Sequence, residues 1–145
     1  MRVHTLVREQ VLPVAPDEAF TFFADAHNLE AITPAWLRFR VVTPKPIAMR
    51  AGAQIQYRLR LHGVPIGWLS RIEIWEPGRR FADVQVRGPY RLWHHTHSFS
   101  PHPGGTTMRD LVRYALPLRG LGRFVRRDLE RIFDFRRDAV AELLG

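Results

Sequence analysis

The sequence predicts an α+β fold, with a curved antiparallel sheet of about seven strands wrapped around a long C-terminal helix. Three observations predict it. About seven stretches alternate apolar and polar residues with a period of two, the mark of strands with unlike faces. Two short helical stretches interrupt that pattern once, after the first strand. Past Pro117 the period becomes that of a helix and holds nearly to the end of the chain.

The first strand is expected over Val3 to Val14, where Pro13 and Pro16 stop it. Asp17 and Glu18 then open a short helix carrying Phe20, Phe22 and Phe23, and Asn28 is placed to cap a second one that Thr33-Pro34 ends. Strand-like text resumes from Leu37 as Phe39 to Val42, and a Pro/Gly loop from Pro44 to Gly52 follows. Ile55 to Leu61 alternates cleanly, and His62-Gly63-Val64-Pro65 is expected to turn the chain. Four further strands are expected over Trp68 to Trp75, Phe81 to Arg87, Arg91 to Ser100 and Thr106 to Ala115. Short turns between them imply an antiparallel meander. In the final helix Leu121, Val125, Leu129, Ile132, Ala139 and Leu143 form the expected inner stripe. Arg126, Arg127, Arg131, Arg136 and Arg137, interleaved with acids, form the expected solvated face.

Composition excludes several classes. The 145 residues have neither an internal repeat nor a linker, so one domain over 1–145 is expected. The absence of cysteine removes disulfides, thiolate metal ligands and a cysteine nucleophile. No apolar leader opens the sequence and no stretch approaches the roughly 20 apolar residues of a membrane span, so a cytoplasmic protein without membrane insertion is expected. The net charge of +8 raises nucleic acid or an anionic membrane as partners. Only Lys45 among the 22 basic residues is a lysine, and many arginines stand beside acids. No zinc finger or RNP-type motif accompanies them, so no specific nucleic-acid partner is expected. No P-loop, dinucleotide fingerprint or serine-hydrolase elbow is present either.

Strand, two short helices, six-strand meander and terminal helix is the layout of the helix-grip fold. The residues that carry the likeness are Phe23, Asp25, Asn28, Leu29, Ile32, Thr33 and Pro34, then Phe81, Asp83, Gln85, Gly88, Pro89, Tyr90, Trp93, His95, His97 and Phe99. Gly104, Gly105, Thr106, Met108, Asp110, Val112, Tyr114 and Pro117 complete them. Through these the chain resembles the START-related polyketide cyclase/dehydrase and lipid-transport superfamily (SRPBCC), over essentially its whole length. The resemblance implies an internal chamber between sheet and helix. It leaves the ligand open, because that superfamily spans cyclases, lipid carriers, quinone-binding proteins and hormone receptors.

Strand parity names the chamber's expected lining. Tyr57 and Leu59 point inward with Ile55 and Leu61. Trp68, Ser70, Ile72 and Ile74 share a side, as do Trp93, His95, His97 and Phe99. Asp110 and Tyr114 oppose the outward Arg109 and Arg113. On Phe81 to Arg87 hydrophobicity alone buries Ala82, Val84 and Val86, whereas the resemblance turns Phe81, Asp83 and Gln85 inward. The second alternative leaves the valines to solvent or to a second subunit, so a homodimer stays open. Val125 and Ile132 are expected to close the chamber from the helix. The remaining histidines, His4, His27, His62, His94 and His102, are expected at the surface.

A small hydrophobic or aromatic molecule is the expected partner, with no cofactor and no metal. The polar band of Asp83, Gln85, His95, His97, Asp110 and Tyr114 either satisfies itself by hydrogen bonding or orients a ligand. If the protein is an enzyme, His95, His97 and Asp110 are the expected catalytic residues of a cyclase- or dehydratase-like reaction, since a carboxylate-held imidazole suits a general base. The same two histidines with Asp110 also have metal-ligand character, and a basic adaptor on nucleic acid or membrane is a third alternative.

Overall fold

The computed structural model describes residues 1–145. The elements run β1 (His4–Leu12), α1 (Pro16–Ala24), two single 3-10 turns (Ala26–Glu30 and Ala35–Leu37), β2 (Arg40–Val41), β3 (Gln54–Leu61), β4 (Val64–Glu76), β5 (Arg80–Arg87), β6 (Leu92–His102), β7 (Gly105–Ala115) and α2 (Gly122–Leu144). All strands form one curved antiparallel sheet in the order β1-β7-β6-β5-β4-β3-β2, gripping α2 as the helix-grip layout requires. No helix is long and apolar enough to cross a membrane.

Local chemistry explains the departures from the expected elements. Pro16 occupies the first turn of α1 with Asp17 and Glu18, where a missing N–H costs nothing and negative charge suits the helix's positive end. The turn that follows is capped by Asp25, whose carboxylate accepts from the His27 N–H at 3.0 Å; Asn28 instead donates to the Phe22 carbonyl at 2.9 Å. The β3–β4 hairpin turns on His62 and Gly63 alone, at φ 50° and 80°. Two positive φ values in succession make the tight turn that matches strand twist, so β4 begins at Val64, four residues before the expected Trp68. A bulge between Ile72 and Ile74 then shifts parity. Trp75, in place of Ile74, packs against Phe20 at 5.1 Å and Phe81 at 5.7 Å.

The inner face is fixed on β5 as well. Phe81 and Ala82 are buried, Asp83, Val84 and Gln85 are half-buried and Val86 is exposed, and it is Phe81, stacked on His97 at 4.1 Å, and Asp83, 2.8 Å from the same ring, that face the interior layer. The alternative carried by the resemblance is thus the one the strand adopts. On α2 the stripe is rotated relative to the expected one. Leu129, Phe133, Arg136 and Val140 are buried at spacings of four, three and four, while Leu121 and Leu143 are exposed and Val125, Ile132 and Ala139 flank the stripe half-buried. Arg136, expected among the solvated arginines, is 9% exposed.

The apolar interior falls into two clusters. The larger gathers Leu12, Phe20, Phe23, Ile72, Phe81, Phe99, Met108 and Val140 around α1. The smaller gathers Leu6, Trp93, Val112, Tyr114, Leu129 and Phe133 toward the start of α2. Between Trp93 and Phe99 on β6, between Met108 and Val112 on β7, and between Phe133 and Val140 on α2, the inward positions are polar: His95, His97, Asp110 and Arg136. Three elements therefore interrupt their apolar faces at the same level.

Candidate functional site

Strand register builds the polar layer. Asp83 on β5 stands opposite His95 on β6, and His97 stands opposite Asp110 on β7. The hydrogen bonds run along the diagonals: His95 Nε2 lies 2.8 Å from Asp110 Oδ1, and His97 Nε2 lies 2.8 Å from Asp83 Oδ2. The two imidazoles stack on each other at 3.7 Å, and His97 stacks on Phe81 at 4.1 Å. His95 meets the edge of Phe133 at 5.7 Å. Each ring is thereby held by aromatic faces and by a carboxylate.

Arg136 reaches into this layer from α2, with Nη2 3.1 Å from Asp110 Oδ1 and 3.2 Å from His97 Nδ1. A guanidinium only donates, so His97 Nδ1 accepts, and the proton of that ring sits on Nε2 facing Asp83. His97 is a neutral ring of fixed tautomer. Its pKa is driven down to about 4, first by burial and then by the neighbouring imidazole of His95. Burial works to raise the Asp110 carboxyl. The Arg136 charge and then the His95 hydrogen bond outweigh it and hold the group below the ordinary carboxylate range. Burial pulls Asp83 upward too, and the hydrogen bond from His97 leads the effects that leave it lowered. Two ionised carboxylates thus face one guanidinium. The Arg136 Nε is buried without a hydrogen-bond partner, and the guanidinium carbon lies 5.2 Å from the Phe23 ring centre.

A cavity of about 180 Å³ opens on one side of this layer. Tyr57, Leu59, Trp68, Trp93 and Ile132 line it, with Asp83, His95, His97 and Arg136 at its polar end. Leu29, Ile32, Thr33, Leu37 and Phe39 from the segment after α1, Leu61 and Ser70 from β3 and β4, Pro89 and Tyr90 from the β5–β6 turn, and Leu129 and Phe133 from α2 complete the wall. Burial and next the Asp83 charge push the Tyr57 hydroxyl above its ordinary range, so it stays protonated. The volume is below the several hundred Å³ of a drug-sized site. It is close to the roughly 150 Å³ at which an apolar cavity takes up a single benzene-sized ring.

Several of the expected lining residues lie elsewhere, Ile55, Phe81 and Phe99 among them in the larger core cluster. Ile72 is packed in the larger core cluster. Gln85 clamps the β5–β6 turn, donating to the Tyr90 carbonyl at 2.7 Å and accepting from its N–H at 3.0 Å. Asp110 does not line the cavity and meets it through His95 and Arg136, which do. Tyr114 packs under His4 at 5.1 Å, and Val125 lies half-buried against the smaller cluster. Sequence reading missed Arg136 and Phe133. Their signal was present: they fill the helical positions between Leu129 and Val140, so the buried stripe runs through a charge.

As to metal binding, the set that converges is Asp83, His95 and His97, whose candidate donor atoms lie within 4.8 Å of one another. The two ring planes are 23° apart, and their Nε2 atoms are engaged by different carboxylates, Asp110 on β7 and Asp83 on β5. His97 also spends both nitrogens on Asp83 and Arg136. The arrangement is that of a hydrogen-bonded network.

With this geometry established, the comparisons are specific about the fold. The family described as polyketide cyclase / dehydrase and lipid transport matches residues 12–136. No curated protein matches the chain. Among solved structures, the Zhui aromatase/cyclase from Streptomyces sp. R1128 superposes with a TM-score of 0.76 at 13% identity, covering 99% of this chain and 94% of that one. Protein CV1439 from Chromobacterium violaceum gives 0.73 at 15% identity, with 97% and 96% covered. Ara h 8.0201 gives 0.71 at 16% identity, with 99% and 98% covered. At these identities the likeness is one of fold.

Proposed function

The chain belongs to the polyketide cyclase/dehydrase and lipid-transport family, and from that premise we propose that it binds a small, mostly apolar molecule of about one aromatic ring that carries a hydroxyl group. The observation that carries the reading is the pairing of an aromatic-walled cavity of about 180 Å³ with a polar end in which the ring nitrogens are unequally committed. His97 uses both nitrogens within the protein, and His95 uses Nε2 on Asp110. No protein group bonds the remaining His95 nitrogen, Nδ1, and His95 lines the cavity. With the ring proton on Nε2 toward Asp110, Nδ1 is an acceptor, which a hydroxyl satisfies and a bare carbonyl does not.

Trp68 and Trp93 line the same cavity and serve as reporters. Titration with small phenols should quench their fluorescence saturably, and Leu59→Trp, which puts a ring into the chamber, should abolish the response. Quenching that persists in Leu59→Trp would place the ligand elsewhere.

One observation favours a second reading, proton transfer. Asp110, held ionised by Arg136, supports the His95 Nε2–H, and that polarisation strengthens Nδ1 as a base toward whatever occupies the cavity. A cyclase- or dehydratase-like reaction would use that base to take a proton from the bound molecule, with His97 and Asp83 as a fixed neighbouring pair.

A further inference from the structure

We propose that the end of the molecule formed by the β7–α2 connection and the first turns of α2 docks on anionic lipid membranes. The segment from Leu118 to Arg127 contains Arg119, Arg123, Arg126 and Arg127 and no acidic residue. Arg2, Arg91, Arg119 and Arg123 surround one surface depression with Leu118, and Arg2, Arg123, Arg126 and Arg127 border a second whose one acid is Glu130. Arg126 is committed to Glu130 and to the Thr5 carbonyl. The other five arginines are exposed and make no side-chain hydrogen bond or ion pair.

Two further features separate this patch from an ordinary basic surface. The first is electrostatic. A helix N-terminus favours acidic residues, yet the first turn of α2 has none and its N-cap, Leu121, supplies no side-chain acceptor. Arginines at the positive end of a helix repel that end, and an anionic surface relieves both. The second is apolar. Leu118, Leu121 and Phe124 are 66%, 39% and 68% exposed among these arginines. A phosphate backbone gains little from leucines, whereas a bilayer interface accepts leucine and phenylalanine beneath a ring of basic side chains. Lipid is therefore the occupant that both features select. The patch lies one helical turn from Leu129, which lines the cavity, so docking would bring the cavity close to the bilayer. This inference stands on surface residues and is independent of what the cavity holds.

The test is co-sedimentation with vesicles of phosphatidylcholine alone or with about one-third phosphatidylglycerol, at 0.1 M salt. The intact protein should bind the anionic vesicles at least about tenfold better than the neutral ones. Arg119→Ser/Arg123→Ser/Arg127→Ser should weaken that binding roughly a hundredfold, at about fivefold per arginine. Leu118→Ser/Phe124→Ser should weaken it about tenfold and leave the melting temperature unchanged, because both side chains are exposed. No preference for anionic vesicles would overturn the proposal. So would a Leu118→Ser/Phe124→Ser variant that binds like the wild type, which reduces the patch to a polyanion contact. Tighter binding to a short DNA duplex than to vesicles, unaffected by that double substitution, would assign the patch to nucleic acid and overturn it equally.

Discussion

Arg136 and Asp110 form a buried ion pair, Nη2 to Oδ1 at 3.1 Å, between the middle of α2 and the middle of β7. With the Arg136–His97 hydrogen bond at 3.2 Å the pair ties the helix to the polar layer, and a second carboxylate, Asp83, stands in the same layer. Removing the guanidinium leaves ionised carboxylates without compensation. Arg136→Met should therefore cost about 3–5 kcal/mol in denaturant unfolding, the scale of a broken buried pair. Asp110→Asn combined with Arg136→Met should recover part of the loss, because one uncompensated charge is gone. Equal stability of Arg136→Met and wild type would show that the pair carries no such role.

His97 sets the acid side of stability. In the unfolded chain the ring takes its proton near the ordinary 6.5, and in the folded protein near 4. Between these values the unfolded state binds the extra proton, so stability is full above pH 6.5 and falls as the pH drops toward 4, by on the order of 3 kcal/mol in full. Asp83 and Asp110, both lowered, hold their contribution above the ordinary carboxylate range and lose it below about pH 4. Gln at position 97 can donate to Asp83 and accept from Arg136 without titrating. Melting curves of wild type and His97→Gln should converge or cross between pH 7.5 and pH 5. A gap of the same size and sign at both values would contradict the neutral, buried ring.

Ile132 is the half-buried residue through which α2 closes the cavity beside Leu129. Ile132→Asp should place a carboxylate against apolar walls, lower the melting temperature and abolish uptake of an environment-sensitive dye. Unchanged melting and unchanged dye fluorescence would move the cavity wall to another face of the helix.

The proton-transfer reading has its own discriminator in His95. If the ring only accepts a hydrogen bond, His95→Gln should weaken ligand affinity by about 1 kcal/mol and leave pH dependence small. If it is a base, the same change should lower turnover in a substrate-converting assay by about 100-fold and remove the pH dependence that the wild type shows.

Much of this architecture was legible in the chain because a strand exposes its faces at alternate positions. Tyr57 and Leu59 on β3, and the run Trp93, His95, His97 and Phe99 on β6, fall on the inner side as parity requires. Parity fails where the backbone inserts a residue, and the bulge before Ile74 is such a place. It also cannot choose between two half-apolar faces, and for β5 the resemblance supplied what hydrophobicity did not. Arg136 escaped for a different reason. An arginine among Arg131, Arg137 and Asp138 looks like a solvated helix face, and only the partner layer on β6 and β7 shows why one of them turns inward. Asp110 falls on the inner face of its strand, as parity requires. That it meets the cavity through His95 and Arg136 follows from hydrogen bonds between β6, β7 and α2, which no one-dimensional pattern contains.

The most direct measurement of the central claim compares two ligands that differ by one donor. Titration calorimetry with 4-ethylphenol and with ethylbenzene asks at once whether the cavity takes one aromatic ring and whether its polar end needs a hydroxyl. The expected result is saturable binding of both, with the phenol about fivefold tighter, the value of one neutral hydrogen bond of about 1 kcal/mol. Equal affinities, or no binding of either, would contradict it.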